Sequence, residues 1–153
     1  MITVLVTGGR YFSATTLAGG VPNPKCEDQK KLILDTLDKI HMERKIGKLI
    51  QGGARGADTT AYCWAVAKKV RPVTIYARWE DIITPPVLIK TRPNGAQYNA
   101  LAGANRNQKM VEEKPDLVVA FPGNRGTADM VERARKAGIE VIEIQNQQME
   151  LPI

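Results

Sequence analysis

Apolar residues along this chain fall into two kinds of run that alternate from one end to the other. Short, largely β-branched or apolar runs, Ile2 to Val6, Lys48 to Gln51, Arg71 to Ala77, Leu117 to Phe121 and Glu140 to Ile144, have the length and composition of strands. The unbroken Leu117-Val118-Val119-Ala120-Phe121 is that of a strand covered on both faces. The stretches between carry apolar residues at helical spacing. One helix begins near Cys26-Glu27-Asp28 and turns Ile33, Leu34, Leu37 and Ile40 inward before ending by Gly47; others run from Thr59 to Lys69, from about Gln97 to Glu113, and through Met130, Val131, Ala134 and Ala137 to a stop at Gly138. Strands alternating with helices require right-handed parallel crossovers, with helices on both sheet faces. The pattern therefore predicts a doubly wound α/β sandwich of about five parallel strands, in the order 3-2-1-4-5 usual for such sheets.

Two segments break the period. Tyr11 to Cys26, with Gly19-Gly20, Pro22 and Pro24, reads as an exposed loop near the ligand end of the sheet, placed to act as a lid. Arg78 to Gly95, interrupted by Pro85, Pro86 and Pro93, admits no long regular element; with its flank it forms an irregular insertion at about 78–100. The end of the chain is a short polar tail.

A length of 153 residues suits one domain, 1–153, with a full core. Its apolar runs are strand-sized and Met1 leads directly into the first strand, so a soluble, cytoplasmic protein with no membrane contact is expected. Cys26 and Cys63 have no metal-type spacing and fall in different elements, which speaks against a disulfide framework or a metal site. His41, the single histidine, lies on a helix far in sequence from any glycine-bearing turn and reads as a surface residue, while Trp64, at helical spacing from Ala57 and Ala61, reads as core. Lys68 and Lys69 are a solvated helix end. A net charge of +6 favours anionic partners.

The anion has three places to go. Thr7-Gly8-Gly9-Arg10, Gly52-Gly53-Ala54-Arg55-Gly56-Ala57-Asp58 and Pro122-Gly123-Asn124-Arg125-Gly126-Thr127 each follow a strand, and the last two lead directly into a helix. Glycines let such corners turn sharply and approach a ligand, while the N-terminus of the next helix presents N–H donors and a positive dipole end suited to phosphate. Any one of these could be only a tight turn. In the predicted strand order all three meet at the C-terminal edge of the sheet, where open α/β proteins bind their ligands, and that convergence favours a phosphate site. Neither a Walker ending nor a strict G-x-G-x-x-G is present.

Together with Val4-Leu5-Val6 and Ala102-Gly103-Ala104-Asn105-Arg106-Asn107-Gln108-Lys109-Met110, these corners resemble the SLOG superfamily, named for its SMF/DprA and LOG branches, and most closely its small stand-alone YspA-type proteins. The resemblance implies a Rossmann-like three-layer α/β/α domain that binds a nucleotide or nucleotide-derived molecule and forms a homo-oligomer, with the 78–100 segment at an interface or over the pocket. The LOG branch hydrolyses nucleoside 5′-monophosphates, using an arginine on the helix before the last corner and a glutamate three residues after its threonine. Arg106 matches the arginine; Met130 stands where the glutamate would, and Asp129, one residue away, is turned about 100° around the helix. Asp58 could substitute from the neighbouring corner, or serve simply as a helix cap.

The leading expectation is a binding protein for a nucleoside phosphate or ADP-ribose-like ligand. Its site would comprise Thr7, Gly8, Gly9 and Arg10; Gly52, Gly53, Ala54, Arg55, Gly56 and Asp58; Asn105 and Arg106; and Pro122, Gly123, Asn124, Arg125, Gly126 and Thr127. Phosphate would lie on the second and third corners, and Arg10, Arg55, Arg106 and Arg125 would supply positive charge. No metal and no cofactor are required. The alternatives are a LOG-like phosphoribohydrolase, with Arg106, Asp58 and Asp129 as its catalytic candidates, and single-stranded DNA binding as in the DprA branch. Low aromatic content, 5%, and the absence of a regular stacking pattern disfavour the nucleic-acid reading.

Overall fold

Val4, Leu5 and Val6 have no exposed surface, because the strand that carries them is covered by helices on both sides. In the computed structural model, which describes residues 1–145, that strand is β1 (Ile2–Thr7). It is followed by α1 (Cys26–Glu43), β2 (Ile46–Gln51), α2 (Ala57–Ala67), β3 (Arg71–Thr74), β4 (Ile89–Thr91), β5 (Gln97–Asn99), α3 (Ala102–Glu112), β6 (Leu117–Ala120), α4 (Arg125–Lys136) and β7 (Glu140–Glu143).

Five strands form one parallel sheet in the order β3-β2-β1-β6-β7, the predicted order once the separate antiparallel pair β4-β5 is set aside. This is a Rossmann-like α/β fold. Alternation along the strands sends Val4, Val6, Leu49 and Val119 to the face covered by α1 and α2, where Ile33, Leu37 and Trp64 meet them. Leu5, Ile50 and Val118 point to the opposite face, against Met110 and Val111 of α3 and Met130 and Ala134 of α4. The chain reverses direction between β1 and β6, so the corners after these two strands open side by side.

The structure corrects several local expectations. Leu34, expected on the buried face of α1, is 38% exposed, because Ile33, Leu37 and Ile40 already fill the stripe that faces the sheet. His41 is half-buried rather than superficial: its Nδ1 accepts a hydrogen bond from the Ile46 N–H at 3.0 Å, and its ring meets Trp64 edge-on. The 11–25 segment is not exposed throughout, for Phe12, Ser13, Ala14 and Asn23 are buried. Its roots are fastened by Phe12 stacking on Phe121, by a Ser13–Thr60 hydroxyl bond, and by Asn23, whose Nδ2 donates to the Ala14 carbonyl and to Gln29.

The largest correction falls at 97–101, expected to be helical. Arg92-Pro93-Asn94-Gly95 makes a tight turn, with Gly95 at φ +89° and Asn94 Oδ1 accepting from Ala96 N–H, and this folds β5 back on β4. Helix α3 can begin only after that hairpin closes. The expected polar tail from position 146 lies outside the described residues. Among the described residues, no helix is long and apolar enough to cross a membrane.

Candidate functional site

The three glycine corners are joined backbone to backbone. Gly9 N–H donates to the Pro122 carbonyl at 2.9 Å, and Ala57 N–H donates to the Gly9 carbonyl at 3.4 Å. Such closeness needs bare α-carbons. A Cβ on Gly123 would collide with the Thr127 hydroxyl and stand 2.7 Å from the Gly9 nitrogen. Gly56, at φ +77°, could carry one only by pressing it to 2.6 Å from the Arg10 carbonyl, in a conformation that L-residues avoid.

Clefts open on both sides of this junction. One, of about 610 Å³, is lined by Thr7 to Arg10, Gly52 to Arg55, Asp58, Tyr76, Trp79, Arg106, Asn107, Asn124, Gly126 and Thr127. The other, of about 650 Å³, lies against Tyr11, Phe12, Pro122, Gly123, Ala128 and Glu143. Size does not separate them, but charge does. The first has Arg10, Arg55 and Arg106 against the single carboxylate of Asp58, whereas the second sets Arg10 against Glu143. The first turn of α4 borders both clefts, the first through Gly126 and Thr127 and the second through Thr127 and Ala128, and α4 has no side-chain cap and no acidic residue in that turn. Its positive dipole end therefore meets no neutralising carboxylate in the first turn. The first cleft is the better anion site.

Its cationic floor is built, not floating. Arg106 donates from Nη1 to the Gly52 carbonyl at 2.8 Å and from Nε to Asn107 Oδ1 at 3.1 Å. Asn107, 3% exposed, passes the connection on, its Nδ2 donating to the Gly126 carbonyl at 3.1 Å and to Asp129 at 2.9 Å. One strut of α3 thus sets the spacing between the second corner and the start of α4. Asp58 lies beneath the second corner, where Oδ2 accepts from the N–H groups of Gly52 and Ala54, each at 3.2 Å. Burial raises its pKa to about 6; the two N–H groups and the Arg106 charge oppose that rise without cancelling it. Burial likewise lowers the pKa of Arg106, and the charge of Asp58 works against that shift.

Of the residues read from sequence, Thr7, Gly8, Gly9, Arg10, Gly52, Gly53, Ala54, Arg55, Asp58, Arg106, Asn124, Gly126 and Thr127 line this cleft together. Gly56 shapes the second corner from behind, and Pro122 and Gly123 face the neighbouring cleft. Three residues are placed elsewhere. Asn105 points to the insertion, donating to the Pro86 carbonyl at 2.9 Å. Arg125 is exposed at the start of α4 and is not among the residues that line the cleft. Asp129 turns toward α3, paired with Arg133 at 2.8 Å, because its position on α4 faces the neighbouring helix rather than the corner. Met130 is wholly buried in the core.

Asn107, Tyr76 and Trp79 were not among the residues picked from the sequence. The signal for Asn107 was legible: it sits three and four residues before Met110 and Val111, a polar side chain on an apolar stripe, and a buried amide needs partners. Nothing local marks Tyr76 or Trp79.

A model of the YspA, cpYpsA-related SLOG family matches residues 2–81, which include the first two corners. The Gene 61 protein of Mycobacterium phage D29 is 32% identical over 145 residues, a span of 93% of this chain and 95% of the phage protein. Among solved structures, TM1055, a structural-genomics target, superposes with a TM-score of 0.60 at 19% identity, covering 97% of this chain and 89% of its own. DNA processing protein A (DprA) from Streptococcus pneumoniae does so with 0.59 at 18% identity, covering 95% of this chain, which spans only 51% of the DprA chain. At these identities the two structures speak to the fold alone.

Proposed function

The chain belongs to the YspA, cpYpsA-related SLOG family, and from that premise we propose that it binds a nucleotide or nucleotide-derived small molecule, a nucleoside phosphate or ADP-ribose-like signal, so as to sense or sequester it. The phosphate lies at the start of α4 and on the backbone of the second corner. One observation carries the reading: an uncapped helix N-terminus, free of acidic residues in its first turn, borders a cleft of about 610 Å³ in which three arginines face one carboxylate. That volume is within the range of small-molecule sites.

A second reading, N-glycosidic hydrolysis, has Asp58 in its favour: it is the sole carboxylate among the described residues lining the cleft, and with a pKa of about 6 it could exchange a proton near neutrality. Against it, Oδ2 of Asp58 is already engaged by two backbone N–H groups, and the position of the LOG glutamate is the buried Met130. Binding without turnover is the better account.

Mass spectrometry of small molecules released from the purified protein, followed by calorimetry with nucleoside mono- and diphosphates, NAD and ADP-ribose, tests the proposal. Release or saturable binding of a phosphate-bearing nucleotide is expected. A protein that releases none and gives no binding heat with any of them does not have this function.

A further inference from the structure

We propose that Tyr76 and Trp79 form the wall on which the base of the bound nucleotide stacks, so that the ligand lies across the cleft with its phosphate on α4 and its ring against the 76–79 segment. This rests on the nucleotide-binding reading and adds to it the orientation of the ligand and a preference for large planar bases.

Aromatic side chains are few in this protein, and several of the others have structural work. Phe12 and Phe121 stack in the core, and Trp64 is 2% exposed with its indole N–H donating to Asp38 at 2.8 Å. Tyr76 and Trp79 are different: they are 68% and 42% exposed, yet both line the cleft that carries the α4 N-terminus. A ring surface left in water costs free energy, and a planar ligand would recover it.

Both rings are also held in place. The Tyr76 ring lies against the α-carbon of Gly53 in the second corner, filling the space that a side chain there would need. Trp79 is anchored through its carbonyl, which accepts from Asn99 N–H at 2.7 Å, and its ring is 6.5 Å from that of Tyr98. On its other flank the indole packs over Gly103 in the first turn of α3, with Cη2 3.4 Å from the position a Cβ would occupy. Each ring therefore rests on a glycine. Rings fixed before binding lose little conformational freedom when a base arrives, which is the condition for a useful stacking platform. Every base has a π-face, so the wall tolerates any of them, but a purine covers more of it than a pyrimidine.

The test compares AMP, CMP and ribose 5-phosphate by calorimetry. AMP should bind about tenfold or more tightly than ribose 5-phosphate, with CMP between them. Tyr76→Ala and Trp79→Ala should each weaken AMP by a larger factor than ribose 5-phosphate and so narrow the ratio between the two affinities; Tyr76→Phe and Trp79→Phe, which keep a ring, should retain most of the AMP preference. Trp79 is the exposed one of the two tryptophans, so AMP should quench fluorescence in the wild type and not in Trp79→Phe. Equal affinities for AMP and ribose 5-phosphate, or alanine variants that bind AMP as the wild type does, would overturn the wall and leave the phosphate assignment standing. Alanine variants that dissociate an oligomer with AMP affinity intact would likewise overturn it, assigning the rings to contact between copies. If AMP, ribose 5-phosphate and every other member of the nucleotide panel fail to bind, the wall fails together with the nucleotide reading beneath it.

Discussion

Arg106 holds the carbonyl of Gly52 at 2.8 Å, so the guanidinium expected to grip a phosphate is at the same time the prop of the second glycine corner. Its Nε bond to Asn107 continues the prop to Gly126, at the start of α4. The spacing between the second corner and the start of α4 is thus a property of α3, an element that contributes no corner of its own.

Replacing Arg106 by alanine should therefore act on the fold as well as on the ligand. It leaves the Gly52 carbonyl without its partner and the buried Asp58 without its countercharge, a loss of about 2 kcal/mol in unfolding free energy. Nucleotide affinity should fall about tenfold or more, since a charge-assisted phosphate contact is removed and the corners lose their spacing. Denaturant unfolding and calorimetry on the same variant measure both. An Arg106→Ala protein as stable as the wild type would remove the strut from this account.

Asp58 should make stability depend on pH in an uncommon direction for a carboxylate. Its folded pKa of about 6 lies above the ordinary 3.8, so the folded state holds the proton more tightly than the unfolded state does. The contribution is absent well above pH 6 and grows as pH falls through the folded value toward the unfolded one. Between roughly pH 7.5 and pH 5 the wild type should gain about 1 kcal/mol over Asp58→Asn, which has no such proton. Unfolding both proteins at the two pH values reads the difference directly; a wild type that loses stability relative to Asp58→Asn as pH falls would contradict the placement of Asp58.

Two glycines of one corner should respond in opposite ways. A Cβ on Gly126 meets no atom within 4 Å, and the residue borders the cleft, so Gly126→Val should leave the melting temperature nearly unchanged while abolishing nucleotide binding. Gly123→Ala should instead lower stability by about 1 to 3 kcal/mol, because its methyl group must enter the space of Thr127 and the Gly9 nitrogen. A folded Gly126→Val protein that binds as the wild type does would mean that the corner is only a turn.

Turnover should be slight. Met130 is sealed in the core beside Leu5, Met110 and Val118, and Asp129 is occupied by Asn107 and Arg133, so neither position offers a carboxylate to a sugar in the cleft. Incubation with nucleoside monophosphates, NAD and ADP-ribose, followed by chromatography, should show no free base above a no-protein control. Base release that disappears in Asp58→Asn but persists in Asp129→Asn would promote the hydrolase reading over the binding one.

By itself the sequence determined the five strands, the helices between them and the three glycine corners, because strand and helix periods, and the turns that end them, are local properties of the chain; the strand order, and with it the meeting of the corners at one edge, came from the order usual for such alternating sheets. It also placed Arg106 near the site, through a resemblance carried by neighbouring residues. The side on which a side chain emerges is only partly local. The turn at 92–95 could have been read as a hairpin, but α3's starting point follows from β5 pairing with β4, and that start decides that Asn107 faces inward while Asn105 faces the insertion. Tyr76 and Trp79 joined the cleft for a reason no window of sequence contains: the glycines that support them, Gly53 and Gly103, lie on other elements, and only packing those elements together brings ring to glycine and both rings to the cleft.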